Sequence, residues 1–130
     1  PERIDLAVIA TKAETVPAII DACGQQGVRS AVILSAGFHE TGAHGAALEK
    51  AVLENARRYG LRLIGPNCLG VIRPEIGLNA TFTNSAVKPG DLALISQSGA
   101  LCSAILDWAL PNDVGFSGAG FPRAGDSEVF

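Results

Sequence analysis

Two stretches hold residue types that could do chemistry. In Leu92-Ala-Leu-Ile-Ser-Gln-Ser-Gly-Ala-Leu101 a short apolar run meets the turn residues Ser96, Gln97, Ser98, Gly99 and Ala100. Leu92 to Ile95 is too short for a helix and reads as a strand buried on both faces. Leu101, Ala104, Ile105 and Trp108 follow at helical spacing. A strand, a tight Ser/Gly turn and a helix start bring free backbone N–H groups and the positive helix end to one point, which suits an anion. An ordinary strand-to-helix connection with Ser96 or Ser98 as N-cap explains the same residues. The second stretch is Gly65-Pro-Asn-Cys-Leu-Gly70, where two glycines allow sharp turns and close approach of a ligand to the backbone.

The elements that must position these stretches alternate. Asp5 to Ala10 reads as a buried strand, and a helix starts near Thr15 as N-cap with Pro17 in its first turn. Its apolar stripe is Val16, Ile19, Ile20 and Cys23, and the region Gly24 to Gly27 ends it. Ser30 to Ser35 is the next strand. A Gly-rich loop from Ala36 to Gly45 then leads to a helix over about Ala46 to Tyr59, stopped by Gly60, and Leu61 to Ile64 is a third strand. This order implies an open α/β sheet with parallel strands, whose ligands sit beyond the carboxyl ends of the strands. Three connections leave those ends: Ala10 to Ala13, Ala36 to Phe38 and Gly65 to Gly70. From Val71 to Pro89 no helical period is present; Gly77 to Phe82 reads as a short strand, Lys88 to Asp91 as a turn, and the passage as a whole as a linker. After Pro111-Asn-Asp113 comes a Gly-rich end without a clear element.

Bulk composition excludes several classes. A hydrophobic content of 48% in 130 residues supports a real core and argues against disorder. A net charge of −3 with scattered signs gives no basic stripe, so nucleic acid is not expected as a partner. No apolar run approaches ~18 residues, and no membrane partner is expected. Cys23, Cys68 and Cys102 are odd in number and lack metal-ligand spacing, which fits reduced thiols in a cytoplasmic protein and no metal site. No secretory leader is read at the start, and the absence of Met, even at position 1, suggests a piece of something longer.

Gly65-Pro-Asn-Cys-Leu-Gly70, then Gly77-Leu-Asn, Lys88-Pro-Gly90 and Ile95-Ser-Gln-Ser-Gly-Ala100, resembles the nucleoside-diphosphate-forming acyl-CoA synthetases, which are similar to the α subunit of succinyl-CoA synthetase. The resemblance runs from Asp5 to about Ser117. It implies a Rossmann-like CoA-binding domain, here its C-terminal part over residues 1–75, a linker over 76–90, and the start of a flavodoxin-like ligase domain over 91–130. It implies coenzyme A (or acetyl-CoA) as cofactor, with Ala10, Thr11, Lys12 and Ala13 in one loop that touches CoA and Ser35, Ala36, Gly37 and Phe38 in the next. Asn67 and Cys68 match residues near the meeting point of the CoA thiol and an acyl-phosphate. Ser96, Gln97, Ser98, Gly99 and Ala100 match the helix start that holds the phosphoryl group of a phosphohistidine, which favours the anion reading of that stretch. Cys68 has no partnered His in its motif and the family uses CoA as the thiol, so a structural or substrate-lining cysteine is expected, and no catalytic residue is assigned.

The implied reaction joins a small carboxylic acid to CoA with ATP, giving acyl-CoA, ADP and phosphate through an acyl-phosphate and a phosphohistidine. The remaining partners are parts of the synthetase outside this chain: an upstream Gly-rich loop, the rest of the ligase domain, and an ATP-grasp domain that would hold ATP or ADP and Mg. Neither His39 nor His44 matches the phosphorylated histidine, and both are expected to be solvated. This chain alone is expected to be inactive. An alternative rests on Gly77 to Phe82, Ile105-Leu-Asp-Trp-Ala109 and Gly115-Phe-Ser117, which also resemble the ligase-like region of bacterial protein lysine acetyltransferases. There the same architecture is fused to a GNAT domain and would bind CoA or acetyl-CoA as a regulatory module. A stand-alone nucleotide-binding domain fits less well, because a Gly-rich first loop is absent. After Ser117 the sequence departs from the synthetase pattern, and no strand is expected over Gly118 to Asp126.

Overall fold

The structure, a computed structural model, describes residues 3–83 and 85–121. In chain order the elements are β1 (Leu6–Ile9), α1 (Val16–Gln25), β2 (Ser30–Ile33), α2 (Ala43–Tyr59), β3 (Arg62–Ile64), β4 (Gly70–Arg73), β5 (Leu78–Thr81), β6 (Pro89–Ile95), α3 (Gly99–Ala109) and β7 (Phe116–Phe121). Short 3-10 turns lie at Ala13–Thr15, His39–Thr41 and Pro74–Ile76.

The first sheet has the order β1–β2–β3, and every pair in it is parallel, as the alternating pattern predicts. Helices α1 and α2 supply Val16, Ile20, Val52 and Ala56 to one core, and the strands supply Ile9, Ala31, Ile33 and Leu63. Hydrogen bonds tie the two helices together: Tyr59 Oη donates to Asp21 Oδ1 at 2.9 Å and Asn55 Nδ2 to the Pro17 carbonyl at 2.9 Å. Gly60 closes α2 in the left-handed region at φ 63°, the expected stop. One boundary differs from the sequence reading. Helix α2 begins at Ala43, because Gly45, which reads as loop, sits inside its first turn against the Phe38 carbonyl, where no side chain would fit. Thr15 holds the N-cap position of α1, with Pro17 in the first turn, as expected, but its side chain makes no capping bond. The preceding turn has already put it in helical conformation, and its hydroxyl donates to the Lys12 carbonyl at 2.7 Å.

The second sheet has the order β5–β4–β7–β6. Strand β4 is antiparallel to both β5 and β7, and β6 is parallel to β7. Three expectations are corrected here. The stretch read as a linker is built into the second sheet: the short strand read over Gly77 to Phe82 is present as β5, and β4 and the start of β6, absent from that reading, pair in the same sheet. Four-residue strands interrupted by Pro74 and Gly77 show no period, so ladder bonds to neighbours create them rather than local propensity. Beyond Ser117 the chain continues as β7 to Phe121, because its glycines and Ala119 lie in a central strand hydrogen-bonded on both sides. The expected tail over residues 122–130 lies outside the described residues.

The third correction concerns α3 and its strand. Cys102, Leu106 and Ala109 face the second core with Leu69, Ile72, Phe116 and Ala119. Leu101 and Trp108, expected inside, are more than half exposed, and so are Leu92 and Ile95 of β6. Helix α3 is apolar on two faces, and the face with the small Cys102 and Ala109 approaches the sheet. Strand β6 is an edge strand of the described sheet, so it is not enclosed on both sides.

Candidate functional site

The connections after β1, β2 and β3 meet at one edge. The Leu34 N–H donates to the Ile9 carbonyl at 2.9 Å, and the Asn67 N–H to the Ser35 carbonyl at 2.9 Å. The Cys68 thiol donates to the Ile33 carbonyl at 3.3 Å. Gly65 makes this closeness possible: its φ is +90°, and a side chain there would strike Ile33 and Cys68. Asn67 also has positive φ, at 55°, which presents its amide from the tip of the turn.

The residues predicted to touch coenzyme divide by orientation. Ala10, Thr11, Lys12, Ala36 and Asn67 are exposed and Gly37 is partly so. Lys12 forms no ion pair among the described residues. Ala13 and Phe38 are core residues instead, and Phe38 has no exposed surface at all. The N–H groups of Gly37 and Phe38 point at Glu40 Oε1, at 2.6 and 3.2 Å, so this loop satisfies its own donors. The Ser35 hydroxyl is buried without a hydrogen-bond partner among the described residues. His39 Nδ1 lies 3.1 Å from Glu49 Oε2, and His44 is exposed.

The start of α3 has the expected cap. Ser98 Oγ accepts from the Leu101 N–H at 3.3 Å, and Ser96 Oγ accepts from the Ser98 N–H at 3.2 Å. The Ser98 hydroxyl keeps its own proton to donate. The N–H groups of Gly99 and Ala100, in the first turn, have no intrahelical acceptor. A side chain built on Gly99 would meet no atom within 4 Å beyond its chain neighbours and its own helix backbone, so the backbone there is open to a ligand.

A cavity of about 530 Å³ joins the two regions. Ala36, Asn67 and Cys68 reach it from the first sheet, and Gln97, Gly99 and Ala100 from the start of α3. The thiol-side and anion-side residues of the sequence reading therefore share one space. The Ala10 to Ala13 loop does not line it. Four lining residues escaped the sequence reading: Leu34, Leu69, Phe82 and Ser103. Ser103 stands four residues after Gly99, so helical spacing could have found it; the other three look like core or linker residues. Among the described residues no cluster of three or more His, Cys, Asp or Glu could hold a metal. No helix among them is long and apolar enough to cross a membrane.

Residues 1–74 match the model of the CoA binding domain family. The chain belongs to that family. The next segment of this CoA-binding chain, residues 89–120, matches the succinyl-CoA ligase like flavodoxin domain. The chain is 50% identical over 117 residues to acetate–CoA ligase (ADP-forming) I of Archaeoglobus fulgidus, a match covering 90% of the chain and 17% of that protein. It is 40% identical over 119 residues to 4-hydroxybutyrate–CoA ligase (ADP-forming) of Nitrosopumilus maritimus, covering 90% and 17%. Among solved structures, the dinucleotide-forming acetyl-coenzyme A synthetase 1 of Ca. Korarchaeum cryptofilum in complex with phosphate and ADP superposes with a TM-score of 0.87 at 37% identity, covering 95% of this chain and 26% of that one. The CoA-binding chain thus spans about a sixth to a quarter of these relatives. They bear out the resemblance to acyl-CoA synthetases, and they give the acetyltransferase alternative no support.

Proposed function

We propose that this chain is the CoA-binding and acyl-transfer part of an ADP-forming acid–CoA ligase, with residues 1–75 in a CoA-binding domain and residues from 91 onward in a ligase domain. The observation that carries the reading is the shared cavity, with Asn67 and Cys68 on one wall and the open Gly99 and Ala100 N–H groups on another. Three features support this reading: among the described residues Lys12 has no ion-pair partner and so offers its ammonium to a phosphate, Asn67 offers an amide at the proposed thiol end, and Ser35 keeps a buried hydroxyl without a described partner. Ala13 and Phe38 support these loops from below rather than touching ligand.

In the reaction so read, a thioester bond forms between the CoA sulfur and the acyl carbon. The bond from the acyl carbon to the phosphate oxygen breaks, and phosphate leaves with that electron pair while the thiol proton passes to solvent or phosphate. The start of α3 stabilises the phosphate charge, its dipole contributing about 0.3–2 kcal/mol. Two relatives name acids of different length, acetate and 4-hydroxybutyrate, so the acid is read as a small carboxylic acid. ATP or ADP, Mg and the phosphohistidine belong to parts of the synthetase beyond this chain, and the compartment is read as the cytoplasm. The test is thioester formation from acid, CoA and ATP by the full synthetase. A catalyst that makes thioester and releases ADP supports the reading, and one that makes none from any acid overturns it.

A further inference from the structure

The cavity has an apolar lining to which the reading above gives no task. Its polar lining is Asn67, Gln97, Ser103 and the Gly99 backbone; its large apolar lining residues are Leu34, Leu69 and Phe82. Among the described residues that line it, Phe82 is the only aromatic one. Leu69 is committed to the second core, and the Leu34 backbone is tied to Ile9. Phe82 is committed to nothing comparable: it is 66% exposed. A large apolar ring left in water beside a built cavity is a surface that a ligand can cover.

Its place is fixed by the backbone. Strands β4 and β5 pair Gly70 with Thr81, so Leu69 and Phe82 are the next residues outward, and both line the cavity. The strands meet closely at Gly70, whose φ is +119° and where a side chain would strike the Ala80 backbone. The Phe82 backbone is thereby held beside the Cys68-Leu69 wall. A carboxylic acid has one anionic end and one carbon body. With its activated end at the polar lining groups, its body packs best against the large apolar ones.

We propose that Phe82 sets the size of the acid this site accepts, its ring being the wall against which the acid's carbon chain packs. The proposal rests on the synthetase reading above. It is tested in the full synthetase by comparing kcat/KM for acetate, butyrate and phenylacetate in the unmodified enzyme, Phe82→Ala and Phe82→Trp. Phe82→Ala is expected to raise the phenylacetate-to-acetate ratio by about ten-fold or more. Phe82→Trp is expected to lower it, and KM for CoA should stay unchanged in both. A ratio that does not move, or a parallel fall for all three acids, overturns the assignment to Phe82. A change confined to KM for CoA also overturns it and gives the ring to the coenzyme instead. No thioester from any acid in the unmodified enzyme overturns the synthetase reading beneath it.

Discussion

Around the first sheet, Val16, Ile20, Ile33, Phe38 and Val52 are wholly enclosed, and the loops beyond the strands are bonded to one another. Around the second, Cys102 and Leu106 are enclosed, but Leu92, Ile95, Leu101 and Trp108 stand more than half in solvent. The same cavity draws its walls from both. One side of the candidate site is thus seated on a deep core, while the other is aimed by an eleven-residue helix that holds its sheet with three buried side chains and the half-buried Ile105, and its first turn with one serine. Placement of a site does not require equal burial on both sides; it requires that the few contacts made are the ones that fix direction.

The largest effect should come from the deep core. Ile20→Ala is expected to cost roughly 2–5 kcal/mol, because the enclosed site cannot collapse fully, whereas exposed Trp108→Ala should stay within about 0.5 kcal/mol. Chemical denaturation measures both, and equal losses would erase the contrast between the two regions. Next comes the anion side. Gly99→Val should lower phosphoryl transfer in the full synthetase by about 100-fold or more, by occupying the space before the first-turn N–H groups. CoA affinity and the unfolding midpoint should scarcely change, since no protein atom stands where the new side chain would go. Intact turnover would leave this turn as a capped helix start and nothing more.

A smaller effect is expected at Lys12. Its ammonium is exposed, so Lys12→Ala should weaken CoA binding only about two- to five-fold, less at high salt. Calorimetric titration reads this directly, and unchanged affinity would remove Lys12 from the coenzyme loop. The smallest belongs to Asp113, beside Lys88. The Lys88 hydrogen bond, and then its charge, hold the Asp113 carboxyl below the ordinary carboxylate range. Folding with a lowered value contributes stability above the unfolded value, and that contribution fades as pH falls through the folded one. Stability of Asp113→Asn should therefore differ slightly from the unmodified protein at neutral pH and converge with it in acid. A difference that grew in acid would reverse the sign of this linkage.

The sequence was legible where apolar spacing and burial coincide. Strands β1 to β3 and helices α1 and α2 put one face in the core, so their periods report their contacts. They were opaque where a neighbour, not the residue, decides. Gly118, Ala119 and Gly120 form a strand because β4 and β6 flank them, and Gly70 to Arg73 because β5 and β7 do. The turns at Asn67 and at Ser96 to Ala100 were readable as turns, because turn chemistry demands such residues at such places. Phe38 and Ala13 lie in the loops read as coenzyme contacts yet are buried in the core, and loop membership does not reveal which way a side chain faces. Phe82 was hidden for the opposite reason: it sits in a passage without a period, and only the β4–β5 register sets it beside the cavity.

The Cys68 thiol is bonded to the Ile33 carbonyl of the first sheet, while Leu69 is buried in the core of the second. The seam between the two cores is thus the link between consecutive residues, and it runs along the cavity wall. A swing of one sheet against the other would turn about the two soft dihedrals of this link or cost the thiol its bond, so the shape of the cavity wall is set where the two cores join.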